Sequence, residues 1–354
     1  MAYSDIKDPS AHFQVKKWTG NAGTNAITLD GNSDMRPDFM WHKEQNDTNG
    51  WHQFDSSRGA AKYLATQSTA AEGTYSGYLN SFDSNGFTAG AGDSSMNSSG
   101  TAQCSWMWHC NGGTTVSNTD GDITSTVQVN QDAGFSIITY TGSGTTNDTI
   151  GHGLGEEPDI AIFKRLDAYG NWDVQENSGK SGPVSVAFRH TLNLTEGIAT
   201  NVLSSFSNTT IGLSTGGDAQ KNISGSDYVC YAFKGKQGYS KFGTYYGNGS
   251  TDGKFVYLGF KPALIIFKVL SDPNHGWSMI DNTRSPFNLM DDNLFANAST
   301  AEVTNSNLVD FLSNGFKLRG STYPANSGGT NSFSYFAWAE NPFVTSTGVP
   351  TTAR

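Results

Sequence analysis

DFLSNGFK (Asp310–Lys317) carries at its centre a phrase written much earlier in the chain, SFDSNGFT (Ser81–Thr88). Asn85 and Asn314 stand 229 positions apart. An echo at that distance is either chance or the trace of a long internal repeat, and a repeat must be found before a fold is read. Laid against itself, the chain shows three copies. The first has Trp18-Thr19-Gly20, then Arg36-Pro37-Asp38-Phe39-Met40-Trp41-His42-Lys43, then Trp51, Ser84-Asn85-Gly86-Phe87 and Trp106-Met107-Trp108. The second has Tyr140-Thr141-Gly142, Pro158 to Lys164, Trp172, Ser207-Asn208 and Tyr228 to Phe233; the third has Tyr246-Gly247, Pro262 to Lys268, Trp277, Ser313-Asn314-Gly315-Phe316 and Tyr335 to Trp338. Proline to lysine is six residues in every copy, proline to tryptophan 14, 14 and 15, and asparagine to the closing aromatic 21, 20 and 21. Three landmarks agreeing to within a residue argue for triplication.

Each landmark has a physical reading. Proline opens a strand, where its missing N–H costs least. The apolar run after it suits a buried strand, and the fixed lysine is expected to close that strand at the surface. SNG is a tight turn in which Gly or Asn supplies a positive φ. The second copy lacks Gly-Phe after Asn208, so its turn is expected to differ. A tryptophan kept in register in all three copies (Trp51, Trp172, Trp277) reads as core rather than as a sugar-stacking platform.

Solenoid repeats run to about 20–50 residues, so copies of this length read as whole domains. The expected fold is all-β: three tandem antiparallel β-sandwich domains, jelly-roll or lectin-like, arising from internal triplication. The expected boundaries are an N-terminal arm 1–12, repeat one 13–116, a polar linker 117–134, repeat two 135–237, repeat three 238–343 and a C-terminal tail 344–354. A turn or two of helix is expected in Arg58–Gly73 and Leu289–Val303, which occupy the same place in copies one and three.

Composition fits this reading. Charged residues are only 15% of the 354, and 41 glycines supply turns, while 21 Phe, 14 Tyr and 8 Trp argue against disorder. The net charge is −10 with no basic run longer than Lys16-Lys17, so neither nucleic acid nor an anionic membrane surface is expected as a partner. No stretch approaches the roughly 18 apolar residues of a membrane span, so no insertion is expected. The N-terminus MAYSDIKDPSAHF has no apolar core and does not read as a signal peptide. Cys104 and Cys110 on one strand would lie roughly 20 Å apart at ~3.3 Å per residue. That is too far for a disulfide, so they and Cys230 read as small buried hydrophobes.

The chemistry-bearing motifs are weak. GHGLG (Gly151–Gly155) lacks the Lys-Ser/Thr of a phosphate loop and reads as a flexible hairpin loop. Glu156-Glu157, Asp281 and Asp291-Asp292 are acids by type, but none is expected to recur in all three copies, and solvated loops are the better reading. His42, His52, His109 and Cys110 lack metal-ligand spacing. DGNSD (Asp30–Asp34) and TDGD (Thr119–Asp122) only hint at calcium loops. No catalytic residue, metal site or cofactor is therefore expected. Binding aromatics unique to single copies are Tyr75, Tyr78, Tyr169, His275 and Tyr323.

GFSIITYTGSGTTNDTIGHGLGEEPDIAIFK, GYSKFGTYYGNGSTDGKFVYLGFKPALIIFK and VDFLSNGFKLRG resemble a repeated domain of unknown function found in virion and tail proteins of marine tailed phages, cyanophages and pelagiphages among them. The resemblance runs from Ala2 to about Phe343. It implies a bacteriophage virion structural protein without enzymatic activity, tail-associated as a short fibre, adaptor or knob, that aids host adsorption by non-covalent contacts. The expected partners are other phage virion proteins, a host cell-surface glycan and further copies of the chain in a homo-oligomer, a trimer by analogy with fibres. Its expected location is the virion, tail rather than head, after synthesis in the host bacterial cytoplasm. The alternatives are a capsid decoration or head-fibre protein, a soluble lectin-like carbohydrate-binding module and, last, a polysaccharide-degrading enzyme.

Overall fold

The computed structural model describes residues 4–92, 94–181, 184, 186–200, 204–214, 221–306, 308–329, 331–345 and 347–351. The chain is nearly all β, in several antiparallel sheets. Residues up to 108 supply β1 (Phe13–Thr19), β2 (Asn25–Thr28), β3 (Phe39–Glu44), β4 (His52–Asp55), β5 (Lys62–Tyr63), β6 (Gly73–Thr74), β7 (Leu79–Asp83), β8 (Gly86–Ala89) and β9 (Ala102–Trp108). The middle of the chain supplies β10 (Val116–Asn118), β11 (Ser125–Asn130), β12 (Phe135–Thr141), β13 (Thr149–Gly151), β14 (Ile160–Arg165), β15 (Asp173–Glu176), β16 (Phe188–Thr191), β17 (Thr210–Gly212) and β18 (Asp227–Phe233). The last third supplies β19 (Ser240–Tyr246), β20 (Phe255–Tyr257), β21 (Phe260–Val269), β22 (Trp277–Asp281), β23 (Leu294–Phe295), β24 (Val309–Leu312), β25 (Gly315–Leu318) and β26 (Ser332–Pro342).

One strand order runs through all three main sheets. The first is β1-β9-β3-β4, the second holds β12-β18-β14-β15 within a seven-stranded sheet, and the third begins β19-β26-β21-β22. In each, the last strand of a segment inserts between its first strand and the proline-to-lysine strand. A smaller sheet lies beyond each: β2-β8-β7, β13-β17 and β20-β25-β24.

The central strands β3, β9, β14, β18, β21 and β26 are buried on both faces over most of their length, which is why they are rich in apolar residues. One face of each points to a core shared by all three sheets, with Phe39, Trp41, Trp106 and Trp108 from the first, Ile160, Val229, Tyr231 and Phe233 from the second, and Leu264, Ile266, Phe336 and Trp338 from the third. The other face packs on its own small sheet: Met40, Met107 and Phe87 in the first, Ala161, Cys230 and Ile211 in the second, Ile265, Ala337 and Phe316 in the third. Where the three sheets meet, the central core leaves a void of about 20 Å³, among Trp41, Val174, Tyr231, Ile266, Phe336 and Trp338. That is about the space of a single water. All three cysteines are free and buried.

Several local expectations are corrected. Arg58–Gly73 and Leu289–Val303 are not helical; they hold only the short strands β5, β6 and β23. Their polar groups turn to other segments: Leu64 and Gln53 exchange backbone hydrogen bonds, and Thr66 Oγ1 donates to Ala296 O at 2.7 Å. The stretch 117–134 contains β11 and ends of a hairpin, and β10 and β11 extend the second sheet beside β12. Pro37 and Pro158 stand just before β3 and β14, whereas Pro262 lies inside β21 at a register shift, where a lost N–H is tolerated.

The SNG turns join β7 to β8 and β24 to β25. Gly86 has φ +120°, and a Cβ there would sit 1.9 Å from Ile27 O; at Gly315 it would sit 2.1 Å from Val256 O. The second segment solves the same crowding differently. Thr210 takes the place of the glycine, its strand partner is Gly151, and Ser207 Oγ accepts from Thr209 N and Thr210 N to close the turn. Gly86→Ala is accordingly expected to cost roughly 1–3 kcal/mol, read as a lower urea midpoint, while Thr210→Ala stays near wild type.

Candidate interaction surface

The three seams between the main sheets are built from one set of positions. The indole Nε1 of each fixed tryptophan donates to a backbone carbonyl of another segment. Trp172 reaches Ala65 O at 3.0 Å and Trp277 reaches Thr191 O at 3.2 Å, while Trp51 reaches Phe295 O and Ala298 O at 3.0 and 2.9 Å. The direction is cyclic: second to first, third to second, first to third. Backbone bonds follow the same seams, from Glu72 N to Leu166 O, Ile198 N to Leu270 O and Glu302 N to Gln45 O.

The fixed lysines do not close their strands at the surface, as the sequence suggested. Lys43, Lys164 and Lys268 are at most 1% exposed. Their ammonium groups donate to carbonyls: Lys164 to Thr69 O and Gly170 O, Lys268 to Thr195 O and His275 O, Lys43 to Glu44 O and Asp47 O, all within 2.6–3.0 Å. Two of the three thus tie a loop of the neighbouring segment to their own hairpin.

An acid does recur in register, four residues after each tryptophan, in WHQFD, WDVQE and WSMID. Asp55, Glu176 and Asp281 are at most 1% exposed. Asp55 accepts from Tyr231 OH at 2.7 Å and Asp281 from Trp106 Nε1 at 3.1 Å, the two aromatic tips being at the same strand position, opposite Ile162 and Trp41. The third counterpart is Phe336, opposite Ile266, which has no polar tip. There the acid is the longer Glu176, and it accepts from Ser334 Oγ at 2.6 Å instead. Arginines follow the two aspartates: Arg58 pairs with Asp55 at 2.6 Å and Glu72 at 2.9 Å, Arg284 with Asp281 at 2.5 Å and Glu302 at 2.8 Å. Burial opposes the Arg284 charge, yet Asp281, Cys104 and Glu302 beside it raise its pKa. At Glu176 the neighbour is His190, 3.1 Å away and fully buried.

Burial pushes Lys43, Lys164 and Lys268 down to about 8. An unfolded lysine titrates near ~10.4, so between about pH 8 and 10 the unfolded chain binds more protons and the lysines add stability as pH rises. The unfolded cysteines and tyrosines begin to lose protons in the same range, and their buried counterparts are pushed up, which opposes the gain. Lys164→Met isolates the lysine term. The stability of wild type relative to this variant should rise by roughly 1 kcal/mol between pH 7 and 9, measured by urea unfolding; a difference that does not change with pH would show that Lys164 stays fully charged in the fold.

The loop aromatics fall into separate places. Tyr75 and Tyr78 meet at 4.8 Å between ring centroids, and Tyr78 also packs on His52 and Tyr63. His275 and Tyr323 stack at 3.8 Å. Tyr169 stands apart, 79% exposed in the connection from β14 to β15, which corresponds to the β21–β22 connection that carries His275. The five residues therefore make no single site. Of the acids, Glu156 pairs with Lys236, Asp291 lies beside Ser285, and Asp281 belongs to a seam. GHGLG is anchored: His152 is buried, Leu154 N donates to its Nδ1, and its Nε2–H donates to Ser207 O at 3.2 Å. His42 is buried against Ser105, and His109 pairs with Asp38. Among the described residues no three His, Cys, Asp or Glu side chains gather as metal ligands, and no helix is long and apolar enough to cross a membrane.

The fold and its seams define a class: an all-β protein whose antiparallel sheets are joined through a common core. The chain belongs to the family described as a domain of unknown function, DUF7483, which matches residues 8–342. No curated protein and no solved structure matches it.

Proposed function

We propose that the chain is a bacteriophage virion structural protein, tail-associated as a short fibre, adaptor or knob, that aids attachment to the host by non-covalent contacts. Its three segments are copies of one sandwich unit arising from internal triplication, and the recurrence of strand order, tryptophan, lysine and acid supports that origin. The observation that carries the reading is the cyclic closure of three sheets on one core. It spends the fixed aromatic and charged side chains on holding the molecule together and leaves the turns and small sheets facing outward. A block of this kind suits a particle component that must keep its shape while its loops bind.

The action is binding rather than catalysis: the buried acids are held by donors across the seams. The partners are other virion proteins and a host surface glycan, for which exposed Tyr169 is the most accessible platform. Association into a homo-oligomer, with a trimer as the proposed state, converts weak contacts into avidity. The protein is made in the bacterial cytoplasm and carried in the virion. The test is immunogold electron microscopy of purified particles from infected cultures, with antibody to this chain. Gold at the tail is the expected result. Gold over the head would move the protein to the capsid surface, and particles without gold would leave a soluble lectin-like module.

A further inference from the structure

The side of the second sandwich, between β12 and β13, is sealed by β11. Val127 and Val129 lie against Gly153, where an added Cβ would be 3.5 Å from each. Gln128 is buried, its Oε1 accepting from Gly113 N at 2.8 Å and its Nε2 donating to Ser57 Oγ at 2.8 Å. Ser125 Oγ donates to Gly151 O at 2.8 Å. The strand also pairs with the outer edge of β12 from Thr126 to Asn130.

The same groove exists beside β1 and beside β19, the terminal strands of their sheets, to whose outer edges no described strand is added. Registers fix the correspondence. Ser136, Gln14 and Lys241 each follow the residue opposite the last aromatic of the closing strand, and Gly151, Thr28 and Tyr257 each face the turn end of the small sheet's hairpin. Beside β1 the groove is about 160 Å³ and is closed by Gln14, whose amide donates to Ser10 O and Ser33 O and accepts from Gly31 N. Beside β19 it is about 420 Å³ and, among the described residues, is crossed by Lys241, whose Nζ donates to Tyr257 O at 2.8 Å. That carbonyl corresponds to Gly151 O, the one Ser125 caps. Lys241 makes no ion pair among the described residues, and a lone lysine on an open edge is a common guard against pairing. One exposed aromatic lines the groove, Tyr257 on β20.

We propose that the groove beside β19 is a docking site for one extended segment of another polypeptide, added to the outer edge of β19 as β11 is added to β12. The segment has the chemistry of β11, small β-branched residues flanking a carboxamide, with a carboxylate where Ser125 stands. Main-chain bonds to an open edge supply affinity and alternate side chains supply selectivity. Lys241 swings off Tyr257 O and meets that carboxylate. This inference rests on groove geometry and does not depend on where the chain is carried.

The probe is the peptide ITSTVQVNQ, residues 123–131, titrated into the intact protein by fluorescence anisotropy, with hydrogen exchange on the complex. Saturable binding is expected, with slowed exchange along β19 and none gained along β1. A peptide with Ser125→Glu should bind more tightly than its parent. Lys241→Ser, which copies Ser136, should strengthen binding of the parent peptide about tenfold and remove the advantage of the Ser125→Glu peptide, and Lys241→Trp, which fills the groove, should abolish binding of both. No saturable binding up to millimolar peptide, protection outside β19, or equal affinity for Lys241→Ser and Lys241→Trp would each overturn the proposal.

Discussion

Arg284→Met lowers the unfolding free energy by about 3–5 kcal/mol. Arg284 is fully buried, and its loss leaves Asp281, itself without exposure, as an uncompensated charge in the seam between the third sheet and the first. The methionine keeps most of the contact with Trp106, over whose ring the guanidinium now lies at 5.2 Å, so the loss is electrostatic rather than a cavity. That separation can be measured. Adding Asp281→Asn removes the stranded charge but keeps only one of the two accepting oxygens, which serve Trp106 Nε1 and the backbone N–H groups of Thr283 and Arg284, so the double variant should recover part of the deficit. If the double variant is as unstable as the single one, the arginine matters for packing and the charge account fails. Urea unfolding of the four proteins in the cycle gives the answer.

Trp172→Ala is expected to cost a similar amount, about 3–5 kcal/mol. Trp172 has no exposed surface, and its indole donates to Ala65 O in the first segment. The change opens a cavity in the shared core and removes the hydrogen bond across the seam, leaving Ala65 O with only the Ser68 N–H. Trp172→Phe keeps most of the volume and removes only the donor, so it should lose clearly less. The loss should register in all three sheets together, seen as faster hydrogen exchange in β9 and β26 as well as β15. Exchange raised only in the second sheet would show that the segments hold themselves independently.

Much of this architecture was written in the sequence. The proline, lysine and tryptophan spacings located the repeated strands, and a register kept by Trp51, Trp172 and Trp277 marked them as interior. The acid four residues later was equally visible in WHQFD, WDVQE and WSMID, but it is masked by the Asp-to-Glu change in the second, a change that follows from Phe336 having no polar tip across that seam. Lys164 and Lys268 were misplaced because one acceptor of each, Thr69 O and Thr195 O, comes from another segment and leaves no local trace, while Lys43 turns back on the carbonyls of Glu44 and Asp47 in its own hairpin. Arg58–Gly73 was expected to hold a turn of helix, yet Thr66 accepts from Trp41 Nε1 and donates to Ala296 O, tertiary hydrogen bonds that override local propensity. The role of 117–134 was hidden because β11 alternates only Val127 and Val129 among polar residues, and its purpose, sealing the edge of β12, exists only once the sandwich is formed. The loop aromatics were recognised by type, but which of them meet, as His275 and Tyr323 do, depends on loops distant in sequence.

The claim on which the rest depends is that three sheets share one core and behave as one body. Differential scanning calorimetry of the intact chain tests it directly. A single transition with equal calorimetric and van't Hoff enthalpies is predicted, and it should move as a whole in Arg284→Met and Trp172→Ala. Two or three separable transitions, or a variant that shifts one while leaving the others in place, would contradict it.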